Sequence, residues 1–125
     1  MIKKILLDTN FLLIPAQFNI DIFSEIDKLM LVKYKLFTLD KVIGELKSIQ
    51  KDKKQKLKNR NAAKLALQLL KAKKVDIIKT KENKPVDDII AGLKGYIIAT
   101  QDIGLKRRLK AKIITLRSKK RLIMS

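Results

Sequence analysis

Cysteine, histidine and tryptophan are all missing from this 125-residue chain, and glycine (4) and proline (2) are scarce. Without cysteine there is no disulfide, no thiolate nucleophile and no thiolate zinc site. Without histidine there is no imidazole general base and no imidazole metal ligand. Aromatic residues make up 5% of the chain, too few for a nucleic-acid platform built from stacked rings. The low glycine and proline content argues against disorder. No apolar run approaches the roughly 18 residues of a membrane span, and no signal-peptide apolar core follows Lys3 and Lys4. A cytoplasmic protein with no membrane partner is the expectation. Whatever chemistry remains rests on carboxylates, lysines and hydroxyls.

What is present in excess is positive charge. Lysine and arginine number 30 against 12 aspartates and glutamates, giving a formal net charge of +18 and a pI near 10.2. Such a surplus suits a polyanion, and with no membrane-spanning run nucleic acid is the favoured partner. The plainer explanation is a lysine-rich surface that only solvates the fold. The apolar fraction of 46% supports one globular domain over residues 1–125, long enough to bury about two-thirds of its unfolded surface.

Along the chain, Ile5 to Leu7 is a short apolar run of the kind that forms a strand buried on both faces. Strands are also expected at Leu36–Leu39, Val75–Ile78, Tyr96–Thr100 and Lys112–Leu116. Between them lie helical patterns: Ile22, Phe23, Ile26 and Leu29 after Asp21, then Val42, Ile43, Leu46 and Ile49 after Asp40. Ala62, Leu65, Ala66, Leu69 and Leu70 form the stripe of a helix over about 61–73, and Pro85 and Asp87 open another that closes at Gly95. Strands alternating with helices predict right-handed crossovers and a mainly parallel sheet of four or five strands. The tail, residues 118–125, has no assigned element.

The acids divide by context. Asp21, Glu25 and Asp27 belong to a helix start, and Asp52, Asp76 and Glu82 sit among lysines. Asp8, Glu45, Asp87, Asp88 and Asp102 differ, because apolar residues flank them at strand ends or in early helical turns. Asp8 and Asp102 each follow a strand, where open parallel sheets bind ligands. Each taken alone has a bland explanation: a helix cap for Asp8 or Asp102, a first-turn dipole acid for Asp87 or Asp88, a solvated helix residue for Glu45. Four acids meeting in so basic a chain would be unfavourable without a cation. Oxygen-only ligation suits Mg²⁺ or Mn²⁺, and such an ion beside a phosphate-binding surface supports phosphodiester hydrolysis.

Four segments in order resemble the motifs of PIN-domain ribonucleases: Leu7-Asp8-Thr9-Asn10, Val42-Ile43-Gly44-Glu45-Leu46, Val86-Asp87-Asp88-Ile89-Ile90-Ala91 and Ile98-Ala99-Thr100-Gln101-Asp102. The resemblance implies a three-layer α/β/α fold and a Mg²⁺- or Mn²⁺-dependent endoribonuclease. Asp8, Glu45 and Asp102 match three family acids; the fourth is Asp87 or Asp88, with the Asp-x-hydrophobic-Ile-Ala pattern favouring Asp87. Asn10 and Thr100 match polar positions that brace the acids by hydrogen bonds. Within the family the chain is similar to the compact archaeal branch that processes small-subunit ribosomal RNA precursors, a branch that often carries another acid near the position of Gly104.

On this view the substrate is RNA, held by Lys54, Lys58 and Arg60 on one side and by Lys106, Arg107 and Arg108 beside Asp102. Such contacts position a backbone without reading its sequence. The family's frequent pairing implies a homodimer, with no stretch marked as its interface. Two alternatives stand beside the ribosomal role: a toxin ribonuclease of a toxin–antitoxin pair, and a PIN-like RNA-binding scaffold with a silent site.

Overall fold

The computed structural model describes residues 2–125. The sheet is built around β1 (Lys3–Leu7), in which Ile5, Leu6 and Leu7 are each 0% exposed. Side chains alternate along a strand, so three consecutive buried residues require cover on both faces. That places β1 in the middle layer of an α/β/α arrangement.

After β1 come α1 (Thr9–Leu12), α2 (Ile14–Phe18) and α3 (Ile22–Leu29), then β2 (Tyr34–Leu39), α4 (Asp40–Lys51), α5 (Leu57–Ala72) and β3 (Asp76–Ile78). The chain continues through α6 (Val86–Gly92), β4 (Ile97–Ala99), α7 (Ile103–Arg108), β5 (Ile113–Arg117) and β6 (Arg121–Met124). The strand order is β3-β2-β1-β4-β5-β6, parallel throughout except for the final β5–β6 pair. The expected four or five strands thus become six. The tail turns back through Ser118 and Lys119, both at positive φ (57° and 56°), and pairs Leu122 with Leu116. Period-two patterning over four residues is a weak signal, and burial of Leu122 in the core supplies what the local sequence does not.

Two helix boundaries also differ from the sequence pattern. Helix α5 starts a turn earlier than its apolar stripe, at Leu57, because an exposed first turn contributes nothing to that stripe. Helix α6 stops at Gly92, and Gly95 instead takes φ 82° in the turn before β4, a conformation that glycine adopts without a Cβ penalty.

The topology positions the site. The chain moves outward from β1 through β2 to β3, then returns to the other side of β1 as β4. The crevice at such a reversal, beyond the carboxyl ends of β1 and β4, is where doubly wound sheets bind ligands. Helix α5 has 16 residues, about 24 Å, and ends where β3 enters the sheet. It is longer than the roughly 17 Å of a five-residue strand, so its first turn stands beyond the same carboxyl edge. Helix α2 packs on α5 there, and α1 packs on α4.

Candidate active site

Asp8 leaves β1 at the carboxyl edge, buried at 4% exposure. Its backbone N–H donates to the Ala99 carbonyl of β4 at 3.0 Å, which locks the position to the sheet. Its Oδ1 accepts from Thr9 N at 2.8 Å and its Oδ2 from Thr100 Oγ1 at 2.7 Å. Asp8 therefore does cap α1, and its second oxygen engages the neighbouring strand end. Burial first, then repulsion from Asp87 and Glu45, pushes its carboxyl above the usual range, although the two hydrogen bonds oppose the shift.

Thr100 bonds Asp8 directly, whereas Asn10 holds the chain after β4 rather than an acid side chain. Asn10 Oδ1 accepts from Gln101 N at 3.0 Å, and Thr100 Oγ1 accepts from Asp102 N at 3.1 Å. Asp102 in turn caps α7 by accepting Leu105 N on Oδ1 at 3.0 Å. A Cβ at Gly104 would press on that same Oδ1 at 3.3 Å, so a side chain at this position would crowd Asp102.

The adjacent aspartates of α6 point to different partners. Asp88 pairs with Arg108 Nη2 at 2.9 Å on the surface. Asp87 faces Asp102, within hydrogen-bonding reach of it, and its pKa is raised by burial and by the Asp102 charge and contact. Asp87 is thus the member of the pair that joins Asp8 and Asp102. Glu45 lies on the second turn of α4, where its Oε1 accepts from Thr9 Oγ1 at 2.7 Å.

Four acids on four different elements, Asp8, Glu45, Asp87 and Asp102, therefore face one another electrostatically at the switch point. Among the described residues, no group of three lies close enough in this geometry to hold one metal ion. The donor set is all carboxylate oxygen, and the repulsion that remains on Asp8 and Asp87 after the hydrogen bonds to Asp8 and the nearby Arg108 is of the kind that a hard divalent cation relieves. In chemistry, though not in preassembled geometry, the residues fit such an ion.

The basic residues separate into structural and free. Arg60 Nε donates to the Gln50 carbonyl at 3.0 Å, closing the end of α4, and Arg108 is taken by Asp88. Lys106 is half-buried, donates to Thr115 Oγ1 at 2.6 Å, and its pKa is lowered by burial against the opposing pull of Asp102. Lys54, Lys58 and Arg107 are exposed. Among the described residues only Lys28–Glu25 and Arg108–Asp88 form ion pairs, so the surplus of cations is largely unneutralised.

Three contributors were not marked by the sequence as part of the site. Thr9, inside the Asp8-Thr9-Asn10 triplet, anchors Glu45. Gln101 clamps the β4 end to β5 by accepting from Thr115 Oγ1 and Leu116 N, each at 2.7 Å. Asp40 is the first residue of α4, with Leu39 at the cap position; it binds Thr80 N and Oγ1 at 3.2 and 2.8 Å and holds the segment after β3. Hydroxyl and amide partners distant in sequence leave no periodicity to detect.

A doubly wound sheet with acids from four elements converging on its switch point puts the candidate site in the crevice where such sheets bind ligands. The family model described as PIN like domain matches residues 5–119, and the chain belongs to that family. The solved structure of the PIN domain endonuclease Utp24 has the same fold, with a TM-score of 0.77 over 98% of this chain and 90% of that one, at 23% sequence identity. Comparison with curated proteins finds no match.

Proposed function

We propose that this protein is a divalent-metal-dependent endoribonuclease that cleaves ribosomal RNA precursors. The observation that carries the proposal is the meeting of Asp8, Glu45, Asp87 and Asp102 from four elements at one edge, with the carboxyls of Asp8 and Asp87 pushed upward by burial and mutual repulsion. These four would hold Mg²⁺ or Mn²⁺, which when bound lowers the pKa of a coordinated water and stabilises the leaving oxygen. The chain's own residues do the positioning. Thr100 and Thr9 fix the two oxygens of Asp8, Thr9 also steers Glu45, and the α7 cap aims Asp102. Lys106 and Arg107 stand within the helix that Asp102 caps, where cations attract a phosphodiester backbone, and Arg108 beside them would join only by leaving its pair with Asp88. Lys54 precedes the first turn of α5 and Lys58 lies within it on the same edge, with Arg60 in that turn held by the Gln50 carbonyl.

Ribosomal precursor RNA as substrate rests on likeness of the whole chain to an endonuclease of that fold and on the motif resemblance to the small-subunit processing branch. A cytoplasmic location goes with this substrate and with a chain free of cysteine. No helix among the described residues is long and apolar enough to cross a membrane. A silent RNA-binding scaffold is the second reading, favoured by the lack of three acids already at ligating distance.

The test is cleavage of a structured ribosomal precursor RNA with Mg²⁺ or Mn²⁺ by the parent chain and by Asp8→Asn and Asp102→Asn. Internal cuts that vanish in both variants are expected. Cleavage that survives unchanged in both, or RNA binding without any cleavage by the parent chain, would overturn the assignment.

A further inference from the structure

We propose that Phe18 and the cavity beside it form a stacking subsite for one base of a single-stranded RNA segment. The proposal rests on RNA being the partner, as argued above, but not on cleavage. Scarce aromatics exclude a platform of several rings; a single well-placed ring is a different device.

Among the described residues Phe18 is the one exposed aromatic, at 36%. It ends α2, and Asn19 at φ 54° turns the chain away immediately afterwards, so the ring sits on a fixed corner rather than on a loose loop. It borders a cavity of about 630 Å³ at the α4–α5 turn, lined also by Lys54, Lys56, Lys58, Gln55 and Asn59, with no acid in the lining. Asp52, the nearest acid in sequence, does not line the cavity and accepts from Lys54 N at 2.9 Å. A volume of this size is in the range of small-ligand sites.

Each component has a use in holding a nucleotide. A ring face stacks any base, which is sequence-tolerant, and the three lysines meet the backbone phosphates. Asn59 Nδ2 donates to Gln55 Oε1 at 3.2 Å, which orients both amides. That leaves the Gln55 N–H groups and the Asn59 carbonyl oxygen as a donor–acceptor pair for a base edge. Lys119, from the β5–β6 turn, places Nζ 6.0 Å from the Phe18 centroid and does not line the cavity. A cation over an aromatic face is attractive in itself, and a base on the cavity side leaves it in place.

Location ties the cavity to the acids. The β5–β6 turn lies at the carboxyl end of β5, which runs parallel to β4, and so on the edge carrying Asp8 and Asp102. Phe18 touches that turn through Lys119. Helices α1 and α2 alone separate it from Asp8, about 15 Å of helical rise. A strand crossing the acids would reach the ring within a few nucleotides.

Fluorescence anisotropy in EDTA, where no cleavage intervenes, tests the proposal with a labelled adenylate decamer and an abasic decamer of equal length. Phe18→Ala is expected to weaken the adenylate decamer about 5- to 100-fold and to leave the abasic one unchanged. Phe18→Trp is expected to retain binding and, in a chain that has no other tryptophan, to lose emission when the adenylate decamer stacks on it. Equal affinities of Phe18→Ala and the parent for adenylate, equal losses on both decamers, or unquenched tryptophan at saturation would each overturn the subsite. Phe18-dependent stacking without metal-dependent cleavage keeps the subsite and removes the nuclease assignment. Cleavage with Phe18-independent binding does the opposite.

Discussion

Replacing Asp8 by asparagine is expected to make the chain more stable without divalent ions and to remove its response to them. The parent carboxylate is 4% exposed, and burial, Asp87 and Glu45 all raise its pKa. A carboxyl whose pKa is raised on folding binds its proton more tightly in the native state. Stability therefore falls as pH rises from the unfolded aspartate value, about 3.9, through the raised native value, and the whole penalty is present above that native value. Asparagine removes that charge at little cost in hydrogen bonding. Its Oδ1 still accepts Thr9 N, and its Nδ2 donates to Thr100 Oγ1, whose own hydrogen turns to Asn10 Oδ1, now 3.4 Å away. The net gain is on the order of 1 kcal/mol, as for other relieved functional strain, and corresponds to about 4 °C in Tm for a domain of this length. Manganese at 100 times its Kd adds about 2.7 kcal/mol, about 10 °C, to the parent alone, so the order of the two melting temperatures reverses. Thermal melts at pH 7 in EDTA and in Mn²⁺, repeated towards pH 4, make the measurement. In EDTA the gap closes at acid pH as Asp8 takes up its proton. A variant that melts below the parent in EDTA at pH 7, or that gains as much from Mn²⁺, refutes the reasoning.

Thr9→Val removes the hydroxyl that binds Glu45 at 2.7 Å; a loss of about 10- to 100-fold in Mn²⁺ affinity is expected, read by calorimetry, with unchanged affinity showing that Glu45 needs no anchor. Asp40 is the opposite electrostatic case from Asp8, since its bonds from Thr80 hold its carboxyl below the usual range. That contribution is present above the unfolded value of about 3.9 and is lost as pH falls through the lowered native value. Urea midpoints of Asp40→Asn and parent should therefore differ at pH 7 and converge in acid; a gap that widens on acidification contradicts the assignment.

Much of this protein was legible in the linear chain because the relevant signals are local. Ile5 to Leu7 has the short apolar pattern of a strand covered on both faces, and Asp8 directly after it is where such a strand's carboxyl end falls. The absence of cysteine and histidine left carboxylates, lysines and hydroxyls as the chemistry available. The motif order gave the PIN-like fold, which the match over residues 5–119 bears out. The sixth strand was not legible, because four residues alternating in polarity are stabilised as β6 only by β5 beside them and by the core beneath Leu122.

Distances between side chains far apart in sequence belonged to the tertiary structure alone. Asp87 and Asp88 are chemically identical neighbours, so no pattern distinguishes them; successive helical residues point about 100° apart, which sends Asp88 to Arg108 and Asp87 to Asp102. Arg60 and Lys58 look alike as members of a basic run, yet one closes the end of α4 and the other stays exposed. Composition set the chemistry available to this chain, and the order of residues set which strand end carries each acid. Which carboxylates meet, and which cations remain free for a polyanion, depended on packing, because Coulomb and hydrogen-bond energies are decided over a few ångströms that sequence separation does not encode.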